Sequence, residues 1–95
     1  MNTNTTLKIK NIIQKNSQAK IKNLLSKYHD YDIAITFEIL SEEERQKLYK
    51  SLSAQKLSDI FAYLEEPKTY FDELDEEIMI YIVFAFLLQI EFQKL

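Results

Sequence analysis

The 95-residue chain has no glycine, no cysteine and a single proline, Pro67. Each absence excludes something. Tight sheet hairpins draw on glycine for backbone of positive φ, and none is supplied here. A long run without breakers favours helices joined by corners that side chains cap. Without cysteine there is no disulfide frame, thiolate nucleophile or zinc knuckle, and a reducing compartment suits the chain. One histidine, His29, leaves little for acid–base catalysis. Asp30 and Asp32 could orient it, but no Ser-His-Asp order and no glycine loop for an oxyanion or phosphate accompany it. His29 reads as a corner residue packing a helix junction, and no enzyme activity is expected. What is present, 46% apolar and 28% charged residues, is ordinary for one small folded domain.

The charge is divided along the chain. Residues 1–29 hold six lysines and no acid, and residues 30–95 hold the other six bases and all fifteen acids. A basic third can serve nucleic acid or anionic lipid. Here the lysines lack interleaved aromatics and arginines, so no nucleic acid is expected as a partner. They read as the solvated face of a helix pair that neutralises the acidic remainder. The start, MNTNTT, has no apolar core behind a basic end and is no signal peptide. Residues 78–90, IMIYIVFAFLLQI, are free of charge. Thirteen helical residues span roughly 20 Å, short of the roughly 30 Å hydrocarbon layer. The segment is expected to be a buried helix, its acidic start DEE favouring helix over strand. An interfacial or truncated membrane segment is the alternative, the interfacial form helped by the basic first third.

The apolar positions repeat at helical spacing. Residues 1–16 read as a partly frayed N-terminal segment with a short helix on Leu7, Ile9, Ile12 and Ile13; residues 17–95 read as a helical repeat domain. Ser17 can cap a helix carrying Ile21, Leu24, Leu25 and Tyr28. Asp30 can cap the next, with Ile33, Ala34, Phe37 and Leu40 as its stripe. Ser41 and Glu44 have the spacing of a capping box, hydroxyl to the N3 amide and carboxylate back to the cap amide. Leu48, Tyr49 and Leu52 follow; then Ser53 caps a helix with Leu57, Ile60, Phe61 and Leu64 inward. Pro67 suits the first position of a helix facing in with Tyr70, Phe71 and Leu74. Asp75 caps the last, whose Glu76 and Glu77 favour its positive end. The acid trios 42–44 and 75–77 are thus expected at helix starts. Phe37, Phe61, Tyr63, Tyr70, Phe71, Tyr81, Phe84 and Phe86 are expected in the core.

FEILSEEERQKLYKSLS and FAYLEEPKTYFDELD share one scheme, with the Leu40 and Leu64 corners 24 residues apart. Repeats of this size stack as helical hairpins, each burying its face on the next. Helices of about 8–12 residues do not persist alone in water, so packing between hairpins must hold them. The chain is therefore expected to be an all-α solenoid of about six to seven short helices.

HDYDIAITFEILSEEERQKLYKSLSAQKLSDIFAYLEE carries a resemblance. His29, Asp32, Ile33, Ala34, Leu40, Glu43, Glu44, Arg45, Leu48 and Leu52 fit a scheme found in the N-terminal cytosolic domain of MgtE-type magnesium transporters, as do Leu57, Asp59, Ile60, Phe61 and Leu64. The chain resembles that domain over roughly residues 17–75. The middle part of the flagellar switch protein FliG is similar in kind. The first resemblance implies a right-handed superhelix and a cytoplasmic regulatory domain. That domain senses intracellular magnesium through surface carboxylates and helps to close the pore. Its partners would be CBS domains and a membrane pore domain. Mg²⁺ is the implied ion, hard and retentive of its waters, held by carboxylates from two bodies. Asp59 takes the position of a ligating acid on the family's Ala-Ala-Glu helix and is the metal-site residue carried over. The family's later acidic pair falls where this chain has Gln89 and Gln93. The FliG-like resemblance implies a helical scaffold or protein-interaction module. The apolar residues 78–90 depart from the half-polar third repeat usual in the MgtE-type domain. They would cap the solenoid core or form the face of a homodimer.

Overall fold

A computed structural model describes the backbone of residues 3–94 and the side chains of residues 4–88. Among the described residues every regular element is helical. Six α-helices, α1 (Thr3–Lys15), α2 (Gln18–Leu25), α3 (Asp30–Thr36), α4 (Glu42–Ser51), α5 (Ala54–Phe61) and α6 (Glu76–Lys94), are joined by corners, with 3₁₀ segments at Phe37–Ile39 and Pro67–Glu73. The all-α expectation is met.

The corners show how a chain without glycine turns. No described residue has positive φ. Three leucines, Leu40, Leu52 and Leu74, end their helical segments in extended backbone, at ψ of 143°, 155° and 147°. The residue after each leucine caps the next helix. Ser41 Oγ accepts from the Glu44 N–H at 3.1 Å, Ser53 Oγ from that of Lys56 at 3.1 Å, and Asp75 Oδ1 from that of Ile78 at 2.9 Å. One extended residue reverses the chain and one short polar side chain satisfies an orphan N–H, so the left-handed region is never visited. At Ser41 the capping box closes, with the Ser41 N–H donating to Glu44 Oε1 at 2.8 Å.

Two corners differ from the sequence reading. Ser17 stands at the cap position of α2 but its side chain makes no capping bond. At α3 the cap is His29, whose Nδ1 accepts from the Tyr31 N–H at 2.9 Å. Asp30 is the first helical residue instead, and its carboxylate meets Lys56 Nζ of α5 at 2.5 Å. The chain is also helical from Thr3, so the expected fraying does not hold for residues 3–6; Met1 and Asn2 lie outside the described residues. The cause is burial: Thr6, Ile9 and Ile13 face the core and carry α1 with them.

The 24-residue period reaches further back than the two segments that revealed it. Ile9, Ile33 and Leu57 are 24 apart and fully buried, as are Ile13, Phe37 and Phe61. These equivalents lie on α1, on α3 with the 3₁₀ turn that follows it, and on α5, and the three helices pack in that order, while α2 packs on α4 and α6 on α5. Phe37 and Phe61 meet edge to face at 5.8 Å, the ring geometry that aromatic quadrupoles prefer. The last unit is shorter. Leu74 follows Leu52 by 22 residues, two fewer than the period, and the segment matching α4 tightens into the 3₁₀ turns of Pro67–Glu73. Pro67 stands at its first position, as expected, in a 3₁₀ rather than an α-helix.

Candidate functional site

Three polar features and one apolar face are candidates. The largest polar feature joins α4 to Pro67–Glu73. Arg45 grips the Glu73 carboxylate with Nε at 2.9 and 3.0 Å and Nη2 at 2.5 Å, and its Nη1 donates to the Leu40 carbonyl at 2.6 Å. The Tyr49 hydroxyl donates to Glu73 Oε2 at 2.6 Å, and Gln46 Nε2 to the Glu73 carbonyl at 2.7 Å. The guanidinium lies over the Tyr70 ring, 5.0 Å from its centroid, a cation–π arrangement. Burial alone would raise the Glu73 pKa. The hydrogen bonds from Arg45 and Tyr49 outweigh it and hold the carboxylate below its ordinary value. Burial, then the bond to Glu73, pushes the Tyr49 phenol up, so it remains a donor. With Arg45 and Glu73 side chains only 15% and 11% exposed, the cluster is closed by its own members and works as a clasp.

Glu44 is the second feature. Its carboxylate completes the capping box and takes Lys10 Nζ of α1 at 3.2 Å, while Lys10 also donates to the Ile39 carbonyl at 2.7 Å. Burial raises its pKa, and the bonds from the Ser41 backbone, Lys10 and Gln14 together lower it further than burial lifts it. Glu42 and Glu43 are exposed in the first turn of α4, as Glu76 and Glu77 are in α6, where the helix dipole favours them. His29, besides capping α3, sets its ring edge on Tyr63 at 5.6 Å.

Asp59 is the third. It is exposed on α5, and its Oδ1 accepts from Gln55 Nε2 at 3.2 Å. Among the described residues no group of three or more His, Cys, Asp or Glu side chains is arranged to hold a metal ion. Asp59 therefore offers one oxygen-bearing anchor for a hydrated hard cation, which is held more tightly when a second body brings more ligands. The side chains of Gln89 and Gln93 lie outside the described residues.

The apolar face is on α6, and it corrects two expectations. The helix is not buried. Ile82 is enclosed and Ile78 and Phe86 pack on the core, but Ile80, Val83, Phe84, Leu87 and Leu88 are exposed. Tyr81 and Phe84 are likewise exposed rather than core, because a helix apolar all round can turn only one side to α5; Tyr63, in the turn after α5, is also exposed rather than core and sets its ring against His29 and Tyr31. Tyr81 hydrogen-bonds through its hydroxyl to Gln55 Oε1, so Gln55 bridges α6 to Asp59. No helix among the described residues is long and apolar enough to cross a membrane.

Of the residues that matter, Glu73 was missed by sequence reasoning. Its partner Arg45 is 28 positions away, and no local pattern links them. An acid inside an otherwise apolar repeat face was the available signal. Comparison with family models, curated proteins and solved structures finds no match to this chain.

Proposed function

We propose that the chain is a cytosolic regulatory module of an MgtE-type magnesium transporter, acting by docking on partner domains and not by catalysis. One observation supports this reading: the polar residues of the resemblance include those that build the corners. His29 caps α3, Leu40 turns the chain, Glu44 closes the capping box and Arg45 clasps the next unit. A motif in which several members hold the corners of the stack marks this kind of stack, and the chain carries those members in order. The groups best suited to acid–base chemistry are engaged as caps and clasps, which favours a docking role.

In this reading Asp59 supplies one carboxylate of a Mg²⁺ clamp shared with a partner such as a CBS domain. The ion would screen acidic groups on the two bodies from one another. Removing it would leave like charges facing and drive the bodies apart. An ion that binds only the closed arrangement shifts population toward it. Thermal melts with and without millimolar MgCl₂, matched in ionic strength with KCl, test the ion site. The wild-type Tm is expected to rise and that of Asp59→Ala to rise less. No rise, or an equal rise in both, refutes the assignment.

The second reading is a helical scaffold or protein-interaction module of the FliG-like kind. The exposed apolar face of α6 favours it, since surface of that kind marks an interaction site.

A further inference from the structure

We infer that the outer face of α6 is a self-association surface whose occupant is a second copy of this chain, docked antiparallel with α6 against α6. Its place in the stack is the first ground. α3 lies between α1 and α5, and α5 between α3 and α6, but among the described residues α6 has such a neighbour on one side only. At the other end of the stack α1 exposes a mostly polar face, Lys8, Asn11, Gln14 and Lys15 beside one large apolar residue, Leu7, close to what a terminal element needs. α6 exposes Ile80, Val83, Phe84, Leu87 and Leu88 instead.

Size is the second ground. With Tyr81 these side chains present on the order of 600 Å², the top of the range for a monomer's largest apolar patch. Two copies face to face would bury about 1,200 Å² in all, the lower bound of a specific interface.

Shape is the third. Phe84, at 62% the most exposed large apolar side chain described, stands near the midpoint of α6. A hollow opens on either side of it, one bounded by Gln55, Tyr81 and Leu88, the other by Met79 and Val83. A face with a projection between hollows at its centre is self-complementary, as two-fold pairing requires.

Charge sets the direction. The first turn of α6 carries Glu76 and Glu77 behind the cap Asp75. Parallel pairing would set two acidic turns side by side. With the two-fold axis near Phe84, antiparallel pairing separates them by about 22 Å along the helices, well beyond a Debye length of about 8 Å. The same acidic turn at the rim disfavours an anionic lipid surface as the occupant.

Sedimentation velocity of the full chain from micromolar to submillimolar concentration is the primary test. A monomer–dimer equilibrium is expected, with Phe84→Glu monomeric throughout and unchanged in far-UV circular dichroism. The absence of cysteine lets single-cysteine variants report geometry without relying on that variant. Phe84→Cys, near the two-fold axis, is expected to form a disulfide dimer under mild oxidation. In an antiparallel pair the Ile80→Cys sites lie about 12 Å apart along the helices, beyond the roughly 7 Å Cα limit for a disulfide, and are expected to stay unlinked. Ile80→Cys linking as readily as Phe84→Cys would overturn the antiparallel arrangement. A wild-type chain that is monomeric throughout, or that floats as a monomer with phosphatidylcholine–phosphatidylglycerol vesicles, would overturn the second copy as occupant. A monomer that keeps the Asp59-dependent magnesium shift would retain the regulatory proposal and remove this one.

Discussion

Replacing Glu73 with alanine is expected to destabilise the domain more than any other single polar change. The carboxylate takes the Arg45 fork and the Tyr49 hydroxyl, and both partners are largely withdrawn from water. Removing it leaves a guanidinium and a phenol O–H without their acceptor. Breaking one side of a buried ion pair costs about 3–5 kcal/mol, and an unsatisfied hydroxyl about 1–3 kcal/mol. Three features reduce the total. Arg45 keeps the Leu40 carbonyl, the Tyr70 ring and some solvent contact, and Gln46 still holds the backbone at residue 73. We therefore expect a loss of about 3 kcal/mol, a fall in Tm of roughly 12–24 °C for a chain of this size. Urea unfolding followed by circular dichroism measures it. The double variant Arg45→Met/Glu73→Met is expected to recover most of the loss, because it leaves no uncompensated charge. A Glu73→Ala cost below about 1 kcal/mol would show that the pair behaves as a solvated surface bridge, and the clasp reasoning would fail. A double variant no better than Glu73→Ala would show that the charge pair itself, not the orphaned partner, carries the stability.

Acid should weaken the clasp in a defined direction. The Glu73 and Glu44 carboxyls have folded pKa values below the ordinary 4.5, so their stabilisation is full above about 4.5 and is lost as pH falls through the lowered values; Glu73→Gln should flatten the slope of Tm against pH below 4.5. Ser41→Ala removes one half of the capping box and should cost about 1 kcal/mol in urea unfolding, with Ser17→Ala near zero because Ser17 makes no capping bond. Phe37→Ala should cost about 3–5 kcal/mol, since its ring is fully enclosed by Tyr49, Phe61 and Tyr70, while Phe84→Ala should leave the melt of the dilute monomer unchanged.

The parts of the fold legible in the sequence are those set by interactions within one helical turn. Ser41, Ser53 and Asp75 could be read as caps because a cap bonds three residues ahead. The buried sets on α2 to α5 could be read because one face of each short helix is apolar. His29 displaced Asp30 as the cap of α3 because an imidazole nitrogen can accept where a carboxylate usually does, and Asp30 was then available to Lys56 across the stack. The 3₁₀ form of Pro67–Glu73 follows from a unit two residues short, which becomes visible only when Leu74 is aligned with Leu52. The Arg45–Glu73 clasp was invisible for the opposite reason: the repeat aligns equivalent positions, and these two are not equivalent.

α6 is where sequence reasoning stops, and the physical cause bears on function. A helix that is apolar on every side specifies no inward direction. It fits between two neighbours, and among the described residues α5 is the main helix packed on it. The residues whose burial the sequence could not assign, Ile80, Val83, Phe84, Leu87 and Leu88, are therefore those left for an outside partner. The ion candidate lies close to this face. Gln55 donates to Asp59 with its amide nitrogen and accepts from Tyr81 with its oxygen. Docking on α6 that displaces the Tyr81 hydroxyl frees Gln55 to turn and changes its hydrogen bond to the Asp59 carboxylate. Linkage then works both ways, so a cation at Asp59 must bias association through α6 by the same factor as association biases the cation. If Gln55→Ala leaves the magnesium dependence of self-association unchanged, the two surfaces act independently.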